Sequence, residues 1–139
     1  MCSSDLLPPQ ARPWHTETAA TLVAHGPEAP AERRAALDQR GVERLELARC
    51  EPRPLLEALA ARGANQVLWE CGPDLAAAAL RQDCVQRVAA VVAPRLLGGE
   101  AARTPLGDLG LSALAQAPPW RPLALEACGD DWIWTLEAP

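Results

Sequence analysis

Residues 64–80 read Ala-Asn-Gln-Val-Leu-Trp-Glu-Cys-Gly-Pro-Asp-Leu-Ala-Ala-Ala-Ala-Leu, and they decide the fold. A short apolar run at 66–69 ends at the carboxylate of Glu70, and a segment of strong helix formers follows Pro73. Proline suits the first turn of a helix, where its missing N–H would be unpaired anyway, and Gly72 lets a ligand come close to the backbone. The pattern predicts a strand, a tight turn and a helix whose N-terminus binds an anion beside an acidic side chain.

The segments on either side of this stretch alternate between strand and helix patterns. The further predicted strands are 19–24, 42–48 and 86–93, and the predicted helices are 31–40, 54–62 and 74–83. We expect Ala35 and Ala36 to face the core and strand 86–93 to be buried. Short connections between alternating strands and helices are typical of a mostly parallel sheet flanked by helices.

The C-terminal part of the chain has a different pattern. Residues 104–119 hold three prolines and two glycines, which predicts a packed connector without long regular elements. Two strand patterns, 123–127 and 132–136, then flank Gly129 and Asp130. Glycine at the first position of a two-residue turn favours an antiparallel hairpin.

Composition argues against several classes of function. The chain has 139 residues, 49% of them hydrophobic, a formal net charge of −5, and no lysine among its 13 basic residues. A protein that binds the phosphate backbone of a nucleic acid needs a patch of basic residues, so nucleic acid is not an expected partner. Five cysteines without a C-x-x-C pair and two histidines favour neither a metal site nor a disulfide framework. No apolar run approaches the roughly 20 residues of a membrane span, so we expect a reduced, cytoplasmic α/β domain.

The first six residues need a separate interpretation. Residues 1–6 read Met-Cys-Ser-Ser-Asp-Leu, and most of this run is also encoded by the end of a common sequencing adapter. We therefore predict a non-native tail there and assign 7–139 to the domain. The alternative is an ordinary frayed N-terminus.

Two literal motifs resemble a known enzyme family. Residues 68–76 read Leu-Trp-Glu-Cys-Gly-Pro-Asp-Leu-Ala, and residues 91–99 read Val-Val-Ala-Pro-Arg-Leu-Leu-Gly-Gly. Together they resemble the C-terminal half of the reductase domain of the riboflavin-biosynthesis deaminase/reductase, over about 19–136, and cyanobacterial-type members look most similar. The resemblance implies a dihydrofolate-reductase-like α/β fold, a three-layer αβα arrangement with a mostly parallel sheet and a C-terminal antiparallel hairpin, incomplete at its N-terminus.

The resemblance also implies an activity and a site. That family uses NADPH to reduce 5-amino-6-(5-phosphoribosylamino)uracil, a phosphorylated pyrimidine, to its ribitylamino product. By resemblance Glu70 contacts the substrate, whereas catalytic residues remain unassigned. The residues that would line the cofactor are Gly72, Pro73, Asp74, Leu75, Ala76, Ala77 and Ala78. A helix N-terminus suits a phosphate, although the Asp74 carboxylate would repel one unless it turns away.

Several departures from the family pattern limit what this chain is expected to do. Cys71 stands where most members have glycine, either as a harmless small residue or with added backbone strain, and Arg95 replaces the usual lysine, with a structural ion pair as its expected role. The family's first strand, with its lysine and Ser-x-Asp-Gly stretch, and the zinc motif of the deaminase do not occur. We expect a deaminase domain upstream in the parent protein and negligible reductase activity for these 139 residues alone.

Two other functions stay open, and so do the roles of several side chains. The chain could be a non-catalytic nucleotide-binding or dimerisation module, or a related reductase for another pterin or pyrimidine. We interpret His25 as a surface-turn histidine rather than a contact of the cofactor's adenosine phosphate. We expect a homodimer through Trp132 and Trp134, which share one face of the last strand.

Overall fold

The computed structural model describes residues 10–96, 98 and 104–139. The chain divides into two compact units, Met1–Asn65 and Gln66–Pro139. The first unit holds a two-stranded sheet and the second a three-stranded sheet. None of the described helices is both long and apolar enough to cross a bilayer.

The first unit is built on a parallel strand pair. Strand β1 (Leu22–His25) pairs with β2 (Glu43–Glu46), and helix α1 (Ala31–Asp38) connects them. Parallel neighbours need a crossover of this kind because a tight turn cannot join them. Helix α2 (Pro52–Ala61) follows β2. All four elements lie where the sequence predicts them, within two or three residues.

The segment that leads into β1 is held by local contacts. It contains a short 3-10 turn, Arg12–Trp14. The hydroxyl of Thr21 donates a hydrogen bond to the Pro13 carbonyl at 2.5 Å. The guanidinium carbon of Arg40 lies 5.9 Å from the centre of the Trp14 ring, a cation–π contact. The lead-in is therefore attached to the end of α1.

In its described residues, the second unit contains one α-helix, a short 3-10 turn (Leu114–Gln116) and an antiparallel sheet. Helix α3 (Pro73–Arg81) precedes β3 (Arg87–Val92), and β4 (Arg121–Cys128) and β5 (Asp131–Glu137) form a hairpin. The strand order is β3-β5-β4, with both pairings antiparallel. Cys128 pairs with Asp131, so the predicted two-residue turn at 129–130 is confirmed. The α/β class is confirmed too, although one of the three described strand pairs is parallel and two are antiparallel.

The three α-helices of the described residues end in the same backbone arrangement. A residue with positive φ follows each helix: Gly41 at 68°, Gly63 at 92° and Asp83 at 52°. After α3, the amide of Cys84 donates a hydrogen bond to the carbonyl of Ala79 at 2.9 Å. This bond satisfies one of the carbonyls in the last turn that have no partner within the helix. Glycine reaches this conformation without steric cost. Asp83, which follows α3, also adopts it, but its Cβ makes the conformation less favourable.

The strand predicted at 66–69 is not present. The exposure of its side chains alternates as it does in a strand: Val67 and Trp69 are half-buried, whereas Leu68 is 80% exposed. A strand also requires a neighbour that supplies ladder hydrogen bonds. None of the described residues pairs with this segment. The apolar run at 66–69 therefore predicted an extended segment with alternating exposure, but not the absence of a pairing strand.

Burial is more limited than the apolar runs predict. Strand β3 is mostly exposed, with Val91 at 66% and Val92 at 53%, so the predicted buried strand is wrong in this respect. Ala35 and Ala36 are exposed as well, contrary to expectation. An apolar run favours burial only where another element covers it. Among the described residues, the buried apolar side chains are Val42, Leu47 and Pro52 in the first unit and Ala77, Ala79 and Cys84 in the second.

Candidate functional site

The candidate site lies at the start of α3. Gly72 is the N-cap, with φ −71° and ψ 171°, and its carbonyl accepts the amide of Ala76 at 3.0 Å. A Cβ added to Gly72 would meet no atom within 4 Å. Neither backbone conformation nor space within the fold therefore requires glycine here. The open volume beside Gly72 is available to a ligand that approaches the backbone closely.

Two amide groups at this helix start are unused. Pro73 has no N–H, and no side chain of the described residues caps the helix. The amides of Asp74 and Leu75 have no acceptor among those residues, whereas that of Ala76 makes the first helical hydrogen bond. The amides of Asp74 and Leu75 are thus free to bind an anion.

The residues expected to line the cofactor differ in exposure. Residues 72–75 are exposed, and Leu75 retains 43% of its surface. Ala76 and Ala78 are half-buried, whereas Ala77 is 1% exposed and faces the core. The first turn of α3 therefore presents its backbone to solvent, and the Ala77 side chain serves packing.

Glu70 lies two residues before the N-cap and its side chain is exposed. It forms no hydrogen bond or ion pair with any residue that the structure describes. An exposed, uncommitted carboxylate next to a helix start is able to accept hydrogen bonds from a ligand that carries N–H or O–H groups. Its predicted role as the substrate contact stays a prediction.

Cys71 separates the acid from the helix start, and it is half-buried. Burial raises the pKa of the Cys71 thiol, because removal from water penalises the thiolate. A thiol in this state is a poor nucleophile at neutral pH. The structure therefore favours a packing role for Cys71.

This pKa shift predicts how Cys71 reacts. At pH 7 we expect iodoacetamide to modify Cys71 more slowly than the exposed Cys128, since only the thiolate reacts. The rate at Cys71 should increase as the pH is raised through its elevated pKa. Peptide mass spectrometry of samples quenched at successive times measures both rates in one protein. Faster modification of Cys71 than of Cys128 at pH 7 would contradict the expectation.

The connector between β3 and β4 contacts α3 at both ends of the helix. The amide of Gly107 donates to the carbonyl of Pro73 at 3.0 Å. The guanidinium of Arg81, in the last turn, donates to the backbone carbonyl of Asp108. Sequence reasoning did not identify these contacts, because a glycine in a proline-rich connector carries no signal for a distant partner.

Arg95 lies outside the α3 site. It lines a shallow cleft of about 730 Å³ together with Ala93, Pro94, Asp130 and Asp131. The expected ion pair is not found, since Arg95 pairs with no acidic side chain in the described part of the chain. Its charge remains exposed beside the hairpin turn.

His25, at the end of β1, is 5% exposed, so its interpretation as a surface-turn histidine is wrong. Its Nδ1 lies 2.9 Å from the carbonyl oxygen of Gly26. A carbonyl only accepts, so Nδ1 carries the proton of this hydrogen bond and leaves Nε2 as the second polar atom of the ring. No described residue satisfies that buried Nε2 atom.

Comparison with known proteins places the chain among riboflavin-biosynthesis proteins. Residues 1–134 match the family model described as the RibD C-terminal domain. The chain is 40% identical over 129 residues to the riboflavin biosynthesis protein RibD of Synechocystis sp., covering 93% of this chain and 35% of that protein. It is 35% identical over 127 residues to the chloroplastic riboflavin biosynthesis protein PYRR of Arabidopsis thaliana, covering 91% of this chain and 21% of that protein.

A solved structure agrees with these matches. The structure of Acinetobacter baumannii RibD, form 1, superimposes with a TM-score of 0.76 at 28% identity, covering 96% of this chain and 35% of that one. The chain therefore spans about a third of the length of these two RibD proteins.

Proposed function

The chain belongs to the RibD C-terminal domain family, and we propose that it forms the C-terminal part of a reductase domain of riboflavin biosynthesis. In the full-length protein, this domain reduces 5-amino-6-(5-phosphoribosylamino)uracil to the ribitylamino product with NADPH. The main support is the family match over residues 1–134, which include the open start of α3. We also propose a cytoplasmic location, a homodimer and an upstream deaminase domain in the parent protein.

NADPH, when bound, supplies the hydride for the reduction of a ring-opened sugar imine. The residues at the start of α3 fit a phosphate of this cofactor. The amides of Asp74 and Leu75 are unused donors, the helix dipole favours negative charge, and Gly72 leaves the approach open. Binding at this turn would fix one end of the cofactor and so restrict the position of its reactive ring.

Glu70 contacts the substrate rather than the cofactor. Its carboxylate has no partner in the described residues and is therefore able to accept a hydrogen bond from the pyrimidine or its sugar. Its position two residues before the N-cap of α3 keeps the substrate contact close in sequence to the cofactor contact. Cys71, whose thiol stays protonated at neutral pH, takes no chemical part.

Titration of the isotope-labelled 139-residue chain with NADP⁺ tests the cofactor site. We expect the amide signals of Asp74 and Leu75 to shift with saturation. Gly72→Val fills the open approach without a clash inside the fold and should weaken binding at least about tenfold, a change of ~1.4 kcal/mol. Its melting temperature should fall only slightly, because valine is a poorer N-cap than glycine. Equal affinity of the variant and the wild type would place the cofactor elsewhere.

Turnover assays distinguish a reductase from a non-catalytic nucleotide-binding module. We expect no NADPH oxidation with the pyrimidine substrate by these 139 residues, and measurable oxidation by the full-length protein. Turnover by the 139-residue chain would contradict its proposed dependence on the rest of the reductase. Cofactor binding without turnover by the full-length protein would favour a non-catalytic nucleotide-binding module.

A further inference from the structure

Residues 65–71, which we call the open segment, have unused backbone groups along their whole length. The hydrogen bond from the Ala64 amide to the Leu59 carbonyl precedes the segment, and the bond from the Ala76 amide to the Gly72 carbonyl follows it. Between these two bonds, no residue that the structure describes donates to or accepts from the backbone. The segment therefore offers N–H and C=O groups on both of its edges.

The side chains of the open segment are nevertheless arranged as in a strand. They alternate in exposure: Val67, Trp69 and Cys71 are half-buried, whereas Gln66, Leu68 and Glu70 are exposed. The indole N–H of Trp69 donates to the carbonyl of Cys84, just after α3, at 3.3 Å. One face of the segment is thus held against its surroundings while both backbone edges remain open.

The open segment also has the composition of a strand that is covered on both faces. Leu68 is 80% exposed at the centre of one face, and Val67 and Trp69 lie on the other. Strands buried on both faces are typical of parallel sheets, and their sequences are continuous apolar runs. Helix α3 follows at once, as a helix follows each strand in a parallel α/β sheet. The missing neighbour is therefore expected to be a parallel strand.

The length of the relatives indicates where such a strand comes from. This chain matches only 35% of Synechocystis RibD, so most of that protein lies outside the matched region. A second copy of this chain fits less well. Two identical segments that pair across a two-fold axis run antiparallel, which does not agree with a strand of the parallel type.

We propose that the open segment accepts a parallel strand from the part of the full-length protein that lies outside these 139 residues. The added strand is apolar at its centre, because it lies beside Leu68 on one face and beside Val67 and Trp69 on the other. Pairing places Glu70 at the carboxyl end of a strand within a sheet, where open α/β sheets bind their ligands. The inference rests on the proposed function in so far as the parent protein is a reductase of this family.

Hydrogen exchange of the open segment tests the proposal. In the 139-residue chain its amides should exchange rapidly, since no described residue accepts them. In the full-length protein their exchange should slow by at least about 100-fold, as expected for amides in a paired strand. Successive N–H groups of a strand point to opposite edges. Protection of alternate amides therefore indicates one added strand, protection of all indicates a strand on each edge, and either result supports the proposal.

Leu68→Pro tests the same pairing by removing an N–H group, because proline is not tolerated within a central strand. In the full-length protein the melting temperature of the reductase domain should fall by about 5 °C or more, and the protection of the open segment should be lost. The same substitution in the 139-residue chain should leave the melting temperature nearly unchanged. Leu68→Ala is the matched control in the full-length protein, since it shortens the side chain, keeps the amide and should keep the protection.

Several results would contradict the proposal. Rapid exchange of the open segment in the full-length protein overturns it. Protection that increases with protein concentration also overturns it, since the partner would then be a second copy. Short Hα–Hα distances across the new pair occur between antiparallel strands and would contradict the parallel direction.

Turnover by the full-length protein separates this inference from the proposed function. A full-length protein that protects the open segment but does not reduce the pyrimidine contradicts the function and leaves the strand pairing in place. One that reduces the pyrimidine while the open segment exchanges rapidly supports the function and overturns the pairing.

Discussion

Replacing Ala79 by glutamate is expected to unfold the second unit, Gln66–Pro139. Ala79 is 0% exposed, and its carbonyl accepts the amide of Cys84 at the end of α3. A carboxylate buried there without a partner costs several kcal/mol, and the longer side chain cannot fit a packed position. A whole domain of this size is usually stable by only about 5–15 kcal/mol. The substitution therefore removes most or all of the stability of this unit.

Circular dichroism, thermal denaturation and amide NMR measure this effect. The matched control is Ala36→Glu, which places the same side chain on an exposed position of α1. We expect the control to melt within a few degrees of the wild type. An Ala79→Glu variant that melts cooperatively near the wild-type temperature would show that α3 does not pack as described.

Changing Trp132 and Trp134 together to serine is expected to abolish the proposed homodimer. The register places both on one sheet face, which we call the tryptophan face. Its members are all apolar: Val88, Ala90, Val92, Pro122, Leu125, Ala127, Trp132, Trp134 and Leu136. Trp132 is 48% and Trp134 44% exposed. Tryptophan is among the residues that contribute most to interfaces, so losing two should weaken association at least about 100-fold.

Sedimentation velocity and multi-angle light scattering over a range of concentrations measure this association. The double variant should remain folded, with a loss of about 1 kcal/mol for each substitution in the strand. Val91→Ser is a suitable control, since Val91 is 66% exposed and pairs with Ile133 on the opposite face. Dimers that persist in the double variant would place the interface elsewhere, and a monomeric wild type would refute the homodimer.

Local signals in the sequence predicted the elements well. The ends of α1 and α2 are marked by Gly41 and Gly63, both of which adopt the positive φ that ends a helix. Pro73 marks the start of α3 because proline fits the first helical position. Glycine before Asp130 predicted the hairpin turn. Each of these features depends on neighbours within a few residues.

Features that depend on distant neighbours were not predictable from one sequence. The apolar run at 66–69 is visible in the sequence, but whether another strand pairs with it is not. The burial of His25 was missed because a histidine before Gly26 is typical of a surface turn. The contact between Gly107 and Pro73 joins residues far apart in the chain, and no periodicity reports it. The role of Gly72 rests on family resemblance and on the open space at the helix start.

The stacking of Arg40 on Trp14 has a practical consequence for spectroscopy. Trp14 is the only tryptophan of Met1–Asn65, the other four lie in Gln66–Pro139, and the chain contains no tyrosine. Near-ultraviolet emission from the first unit therefore comes from a single indole whose ring lies under a guanidinium. The difference between the emission of the wild type and that of Trp14→Phe isolates this indole. It reports the unfolding of one unit while the remaining emission reports the other, without an attached dye.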